Sequence, residues 1–131
     1  MKLQVVTPHG PKVDIAVSQV TVPASEGEMG ILPGHLPFMS GLATGVLRYT
    51  SEDGGELLAV SGGYIEVADD TVIVVSETAE APTEIDEVRA ETSRDQAKSI
   101  LGDAEGGSED WHNAAAKLAR AENRLKVAKL S

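Results

Sequence analysis

Metal binding and proton transfer near neutral pH fall first to histidine. The chain has three, His9, His35 and His112, far apart and in different elements. No pair has the i, i+4 spacing that would aim two imidazoles at one ion from a helix. There is no cysteine, which excludes disulfides and thiolate zinc sites. The adjacent acids Asp69-Asp70 and Glu109-Asp110 read as a turn and a helix N-terminus. Ser61-Gly62-Gly63 has the small residues of a phosphate loop, but no Lys-Ser/Thr follows and the next residues read as strand, so a bulge or tight bend fits better. Asp86 and Arg89, three apart, suit an ion pair within a helix. No set of nucleophile, base and oxyanion donors emerges. The residues therefore predict a non-catalytic interaction module with no metal site.

A chain of 131 residues fits one domain, or one with a small appendage. Hydrophobic residues make up 41% and aromatic ones 3%, so the core must be built from Val, Ile, Leu and Ala. The net charge of −10 argues against nucleic-acid binding, which needs a positive footprint. The charge is uneven. From Trp111 onward five bases (Lys117, Arg120, Arg124, Lys126, Lys129) stand against one acid, Glu122. That basic segment on an acidic protein predicts an acidic docking surface, its own or a partner's. Met1–Thr7 lacks the apolar core of a signal peptide, and no apolar run reaches the roughly 18 residues of a membrane span. Any membrane association is expected to be indirect.

Short strands fill the first eighty residues. Lys2–Thr7 is one; Val13, Ile15 and Val17 alternate with polar or small neighbours, and Val20 and Val22 resume after an interruption at Ser18-Gln19. Gly45–Thr50, Glu56–Val60, Tyr64–Val67 and Thr71–Ser76 follow, with turns at Glu52-Asp53-Gly54-Gly55 and Asp69-Asp70. Many short strands at close spacing predict an antiparallel sandwich or barrel. Between them lies Ser25–Phe38, a loop dense in Gly and Pro that nevertheless carries Met29, Ile31, Leu32, Leu36 and Phe38. Such a loop must pack under the strands or against a partner.

The character changes near Thr78. Thr83 reads as the cap of a first helix, with an acid three residues on, and the helix carries Ile85, Val88, Ala97, Ile100 and Leu101. Gly102–Gly107 ends it. Ser108 caps a second helix, in which Trp111, Leu118 and Leu125 recur every seven residues with Ala114, Ala121 and Ala128 three after each. This predicts an antiparallel helical hairpin with a narrow seam of small residues. Alanine buries little area, so at roughly 25 cal/mol per Å² the hairpin is weakly held and can open. The expected class is α+β: a β-sandwich over residues 1–82 and a helical hairpin over 83–131.

Ser25-Glu26-Gly27-Glu28-Met29-Gly30-Ile31-Leu32-Pro33-Gly34-His35 together with Leu58-Ala59-Val60-Ser61-Gly62-Gly63-Tyr64-Ile65-Glu66-Val67 closely resembles the ε subunit of bacterial F-type ATP synthase, called δ in mitochondria. The opening Val5-Val6-Thr7-Pro8-His9-Gly10 fits too, and the likeness covers essentially the whole chain. The resemblance implies a rotor subunit of the central stalk. Its sandwich would bind the γ subunit and the c-ring and couple proton flow to ATP synthesis, with Glu28 toward the ring and γ and His35 near γ. It implies that the hairpin either folds on the sandwich or extends toward the catalytic α/β head, where the basic residues Lys117, Arg120, Arg124, Lys126 and Lys129 would meet an acidic loop and inhibit ATP hydrolysis. Some relatives bind ATP through Ile/Leu-Asp-x-x-Arg-Ala, which stands here as Ile85-Asp86-Glu87-Val88-Arg89-Ala90. Glu80, Arg120 and Arg124 match further positions, and one arginine of that pattern falls on Gln96, with Arg94 close by. The implied cofactor is at most a regulatory ATP. The implied place is the cytoplasmic side of a bacterial plasma membrane, without insertion, and the lack of a transit peptide favours bacterial origin. The rival reading is a free-standing ATP-sensing module, with the sandwich as scaffold and the hairpin as clamp.

Overall fold

The computed structural model describes residues 1–130; the expected hairpin's last residue, Ser131, lies outside them. Eight strands come first: β1 (Lys2–Thr7), β2 (Gly10–Ala16), β3 (Gln19–Ala24), β4 (Gly27–Ile31), β5 (Phe38–Leu42), β6 (Gly45–Ser51), β7 (Gly54–Ala68) and β8 (Thr71–Glu80). A 3₁₀ turn (Pro82–Glu84) leads to helices α1 (Glu87–Asp103) and α2 (Glu109–Leu130).

The fifteen-residue β7 holds the sandwich together. Its first half, Gly54–Val60, pairs with β6, and its second half, from Gly63 to Val67, pairs with β5. β8 runs beside both halves. One layer therefore reads β2-β1-β8-β7-β5 and the other β4-β3-β6-β7, with β3 and β5 touching again at Ala24↔Leu42. The change of partner falls at Ser61-Gly62-Gly63, where the β7–β8 ladder skips Gly62. Gly63 has φ +132°, and a Cβ there would stand 1.8 Å from the Val75 carbonyl oxygen. Only glycine allows that approach. The corner is stapled by hydroxyls: Ser61 N–H donates to Ser76 Oγ at 3.0 Å, and Ser61 Oγ meets Thr78 Oγ1 at 2.8 Å. Ser61 and Ser76 are the buried polar residues of the sheet, and their mutual bonds offset their desolvation.

Alternation along each strand sends one set of side chains between the layers. Leu3, Val5, Val72, Val74, Ile65 and Val67 meet Val20, Val22, Ile31, Leu47, Leu58 and Val60 there. Each fully buried aliphatic of this kind contributes about 1.5–3 kcal/mol over its exposed state, so the sandwich is the stable part of the molecule.

Three differences from the sequence reading stand out. The pairing is not purely antiparallel: β1 and β8 run parallel, Leu3 beside Val72 and Val5 beside Val74. The stretch Ser25–Phe38 is not all loop. Residues 27–31 form β4, which folds back on β3 through a two-residue turn, and Phe38 opens the unanticipated β5. Glycines at 27 and 30 hide that strand from any periodicity test. Finally, α1 begins later than expected. Pro82–Glu84 makes a single 3₁₀ turn, Ile85 and Asp86 are extended, and Asp86 rather than Thr83 caps the helix, its Oδ1 accepting the Arg89 N–H at 3.0 Å. The carboxylate expected to pair with the Arg89 side chain thus holds the Arg89 backbone.

The hairpin seam is built from alanine. Ala90 and Ala97 of α1 face Ala114 and Ala121 of α2, all buried. Leu125 and Val127 are buried toward the end of α2, whereas Trp111 and Leu118 are half-buried. Val88 and Ile100, expected on the buried stripe of α1, point outward, because the seam follows the small residues that let the helices come close. Ser108 caps α2 as its sequence suggests, Oγ accepting the Trp111 N–H at 3.2 Å.

Candidate functional site

Two places gather the residues that the sequence singles out: the loop between β4 and β5, and the junction of hairpin and sandwich.

The loop begins with a turn whose chemistry is legible. His35 N–H donates to the Leu32 carbonyl at 3.1 Å across Pro33-Gly34, and Gly34 has φ +82°. Proline first and a positive-φ glycine second is the pattern of a type II turn. The turn throws its apolar side chains outward. Leu36 is 79% exposed, Met39 66% and Leu32 59%. Phe38 and Tyr64 add partly exposed rings, and Met39 and Tyr64 lie on the outer face of the β5–β7 pair, opposite Glu66 and Gly41 respectively. His35 is ordered within the group: its Nδ1–H donates to the Leu36 carbonyl at 2.7 Å, and its ring meets the Phe38 ring edge-on at 6.3 Å. Glu28 is exposed on β4, opposite Pro23. Of the two outcomes open to an apolar loop, burial under the strands or exposure to a partner, the fold takes the second for all but Ile31 and Met29.

The loop is anchored from an unexpected quarter. Asp69 and Asp70 form the β7–β8 turn with φ +50° and +57°, the left-handed values of a type I′ hairpin. Asp70 Oδ1 accepts the Gly34 N–H at 3.2 Å, and Oδ2 lies 3.4 Å from the Met1 ammonium. The Gly34 hydrogen bond, aided by that ammonium, holds the Asp70 carboxyl below the usual carboxylate range.

At the second place the hairpin is docked through α2, which packs on β6, β7 and the 3₁₀ turn. Arg124 Nε donates to Glu80 Oε1 at 2.6 Å, and Asn123 Nδ2 donates to the Gly45 carbonyl at 2.8 Å. The linker is tied down as well. The Lys12 ammonium pairs with the Glu84 carboxylate, whose Oε1 also accepts the Ala81 N–H at 2.9 Å. Lys12 first, and then that N–H, lower the Glu84 pKa. A cleft of about 310 Å³ opens beside this junction, lined by His9, Lys12, Thr78, Glu80 and Arg124 among others.

Of the residues matched to the nucleotide motif, the fold brings Glu80 and Arg124 into contact. Asp86 caps α1, Ala90 is buried in the seam, Ile85 is half-buried, and Arg89 and Arg120 are exposed. Arg94, near the position taken by Gln96, pairs with Asp95 at 3.1 Å. Among the basic residues of α2, Lys126 and Lys129 are exposed, Lys117 is half-buried beside Ile100, Asp110, Asn113 and Ala114, and Arg124 is engaged by Glu80. Asn123, Lys12 and Glu84 were not singled out from sequence, and Asp70 was read only as a turn acid. Their partners lie 78, 72 and 36 residues away, beyond any local spacing. Among the described residues no group of three or more His, Asp or Glu is placed to hold a metal ion, and no helix is long and apolar enough to cross a membrane.

A small β-sandwich that turns an ordered apolar loop outward and carries a docked two-helix appendage has the architecture of an assembly subunit. Residues 1–82 match the family described as ATP synthase, Delta/Epsilon chain, beta-sandwich domain, and residues 83–129 match ATP synthase, Delta/Epsilon chain, long alpha-helix domain. The chain belongs to the delta/epsilon chain family of ATP synthase. It is 40% identical over 128 residues to the ATP synthase epsilon chain of Halalkalibacterium halodurans, covering 98% of this chain and 96% of that one. The corresponding figures for the epsilon chain of Staphylococcus haemolyticus are 41% over 135 residues, 99% and 97%. Among solved structures, a chain in the cryo-EM structure of the Euglena gracilis mitochondrial ATP synthase (OSCP/F1/c-ring in rotational state 1) superposes with a TM-score of 0.80 at 25% identity, covering 98% of this chain and 80% of that one. A chain of the Tetrahymena thermophila mitochondrial ATP synthase central stalk and c-ring gives 0.60 at 17% identity, with 98% and 96% covered, a likeness of fold.

Proposed function

We propose that the chain is the non-catalytic ε subunit of the central stalk, docking by its sandwich on the γ subunit and the c-ring so that proton flow through the ring is coupled to ATP synthesis in the catalytic head. The observation that carries this reading is the group of exposed apolar side chains on the loop and the strands beside it, Leu32, Leu36, Phe38, Met39 and Tyr64, together with family membership. Large apolar side chains left exposed along one loop and the strand it enters suit a protein interface. Glu28, exposed on β4, and His35, ordered within the loop, are the polar residues proposed to meet γ and the ring. The working division is a coupling unit over residues 1–82 and a regulatory unit over 83–131, on the cytoplasmic side of a bacterial plasma membrane, a setting supported by the bacterial relatives.

The hairpin is proposed to regulate hydrolysis. Its docked state sequesters Arg124 against Glu80. Release would free Arg124 to join Lys117, Arg120, Lys126 and Lys129 as a basic face toward the α/β head. ATP is proposed to favour the docked state through Glu80, Ile85, Asp86, Arg89, Ala90, Arg120 and Arg124, with Arg89 and Arg120 as the cations still exposed for phosphates. The test of the main reading is co-purification of the full chain with γ. A stable complex, lost when Leu36 and Met39 are both changed to Ser, is the expected result. A chain that stays alone would favour the rival, a free-standing ATP sensor. For the ATP reading, saturable amide shifts at Asp86, Arg89, Arg120 and Arg124 on titration are expected, and their absence up to millimolar ATP would overturn it.

A further inference from the structure

We infer that Asp70 is a positioning residue for the γ-binding loop, holding the Leu32–Phe38 turn in its binding geometry through the Gly34 N–H. This rests on the proposed docking of that loop on γ. Three observations carry it.

First, the loop leaves the sheet at Ile31 and re-enters it at Phe38, and between them its side chains face outward rather than into the core. Packing therefore does little to fix its conformation. Its internal bonds, His35 N–H to Leu32 O and His35 Nδ1–H to Leu36 O, shape the turn but do not tie it to the body. The bond from Gly34 to Asp70 does, at 3.2 Å across 36 residues of sequence.

Second, the geometry at the other end is specialised. Both central residues of the β7–β8 turn have positive φ, where glycine or asparagine is more at ease than aspartate. Aspartate at position 70 accepts that backbone in exchange for a carboxylate aimed at the loop. Asp69, in the same turn, makes no such bond; its backbone carbonyl accepts from Thr71 Oγ1 at 3.4 Å.

Third, Asp70 is itself fixed from two sides. Its carbonyl accepts the Lys2 N–H at 3.0 Å, and its second carboxylate oxygen faces the Met1 ammonium. The loop is thus referred, through one side chain, to β1 and to the β7–β8 hairpin, both parts of the rigid sandwich. A loop ordered before binding loses less conformational entropy on docking.

The test uses the full-length chain and the purified γ subunit, with three variants. Asp70→Asn keeps an acceptor oxygen and tolerates the left-handed turn. Asp70→Gly relaxes the turn but removes the acceptor. Asp69→Asn removes a neighbouring charge and no loop contact. The expected order of affinity is wild type, Asp69→Asn and Asp70→Asn alike, with Asp70→Gly weaker by on the order of fivefold, the loss of one hydrogen bond of ordinary strength. The Gly34 amide should lose exchange protection in Asp70→Gly alone, while the strand amides of β1 and β8 keep theirs. Full γ affinity of Asp70→Gly with a still-protected Gly34 amide would overturn the inference and leave the docking proposal standing. Failure of the wild-type chain to bind γ would overturn the docking proposal, and this inference with it.

Discussion

Gly63 and Glu84 show how much single positions carry here. A Cβ at Gly63 would overlap the Val75 carbonyl at a backbone angle that side chains rarely adopt, and relief would require moving β7 off β8 at the corner where the layers join. Gly63→Ala is expected to destabilise the sandwich by about 2–3 kcal/mol or more, read from urea unfolding; a change below about 0.5 kcal/mol would mean that the corner relaxes freely. Glu84 acts differently, through charge. Its carboxyl is held below its ordinary pKa by Lys12 and the Ala81 N–H, so the folded state binds its proton less readily than the unfolded chain. Its contribution is complete above the unfolded value and is lost as pH falls through the lower folded one. Acidification through that window should loosen the linker, and Glu84→Gln should flatten this part of the pH dependence, as followed by the exchange of the Ala81 and Ile85 amides. Ser61 was legible as structural rather than catalytic, since a Ser-Gly-Gly before a strand has a backbone task; Asp86 was read as structural too, but as an ion-pair partner of Arg89 inside a helix capped by Thr83. The tasks themselves, a hydroxyl staple and a helix cap, needed their partners' positions.

At the scale of elements, the hairpin is the weak unit, and its weakness has a composition. Four buried alanines line the seam, whereas the sandwich core is almost wholly Val, Ile and Leu. Ala97→Leu should overpack the seam and cost about 1–3 kcal/mol of hairpin stability. Docking of α2 on the sandwich rests on the Asn123–Gly45 bond and on the part-buried Arg124–Glu80 pair. Arg124→Ala and Asn123→Ala should each raise amide exchange in α2 several-fold, at about 1 kcal/mol apiece, and leave β1 and β8 amides unchanged. Equal acceleration throughout the chain would show that the hairpin and sandwich open together. The strands and helices themselves were largely readable from alternation and caps. β4 and β5 were not, because glycine and proline mask them, and the start of α1 moved because Pro82 and Glu84 are engaged in a tight turn of their own.

The whole molecule is then a rigid sandwich with a lightly fastened arm. The single tryptophan, Trp111, lies in α2, and its fluorescence reports the arm, while far-ultraviolet dichroism near the β signal and the Tyr49 and Tyr64 environments report the body. In urea the tryptophan transition should precede that of the strands; coincident midpoints by both probes would establish one cooperative unit instead. Such an arm suits regulation, since a docking interface of few bonds can be shifted by a ligand or partner worth only a few kcal/mol.

Sequence alone determined the two kinds of structure and their order, the aliphatic character of the core, the small-residue seam, and the outward-facing apolar loop as one of two possibilities. All of these are properties of one element, carried by period, capping residues and turn chemistry. Tertiary structure decided the rest: that the loop faces outward, that β1 lies parallel to β8, and that Asp70 meets Gly34, Arg124 meets Glu80, Asn123 meets Gly45 and Lys12 meets Glu84. Periodicity says which face a side chain occupies. It does not say which distant face will be laid against it, because that depends on strand register and helix docking, which are settled by the packing of the whole chain at once.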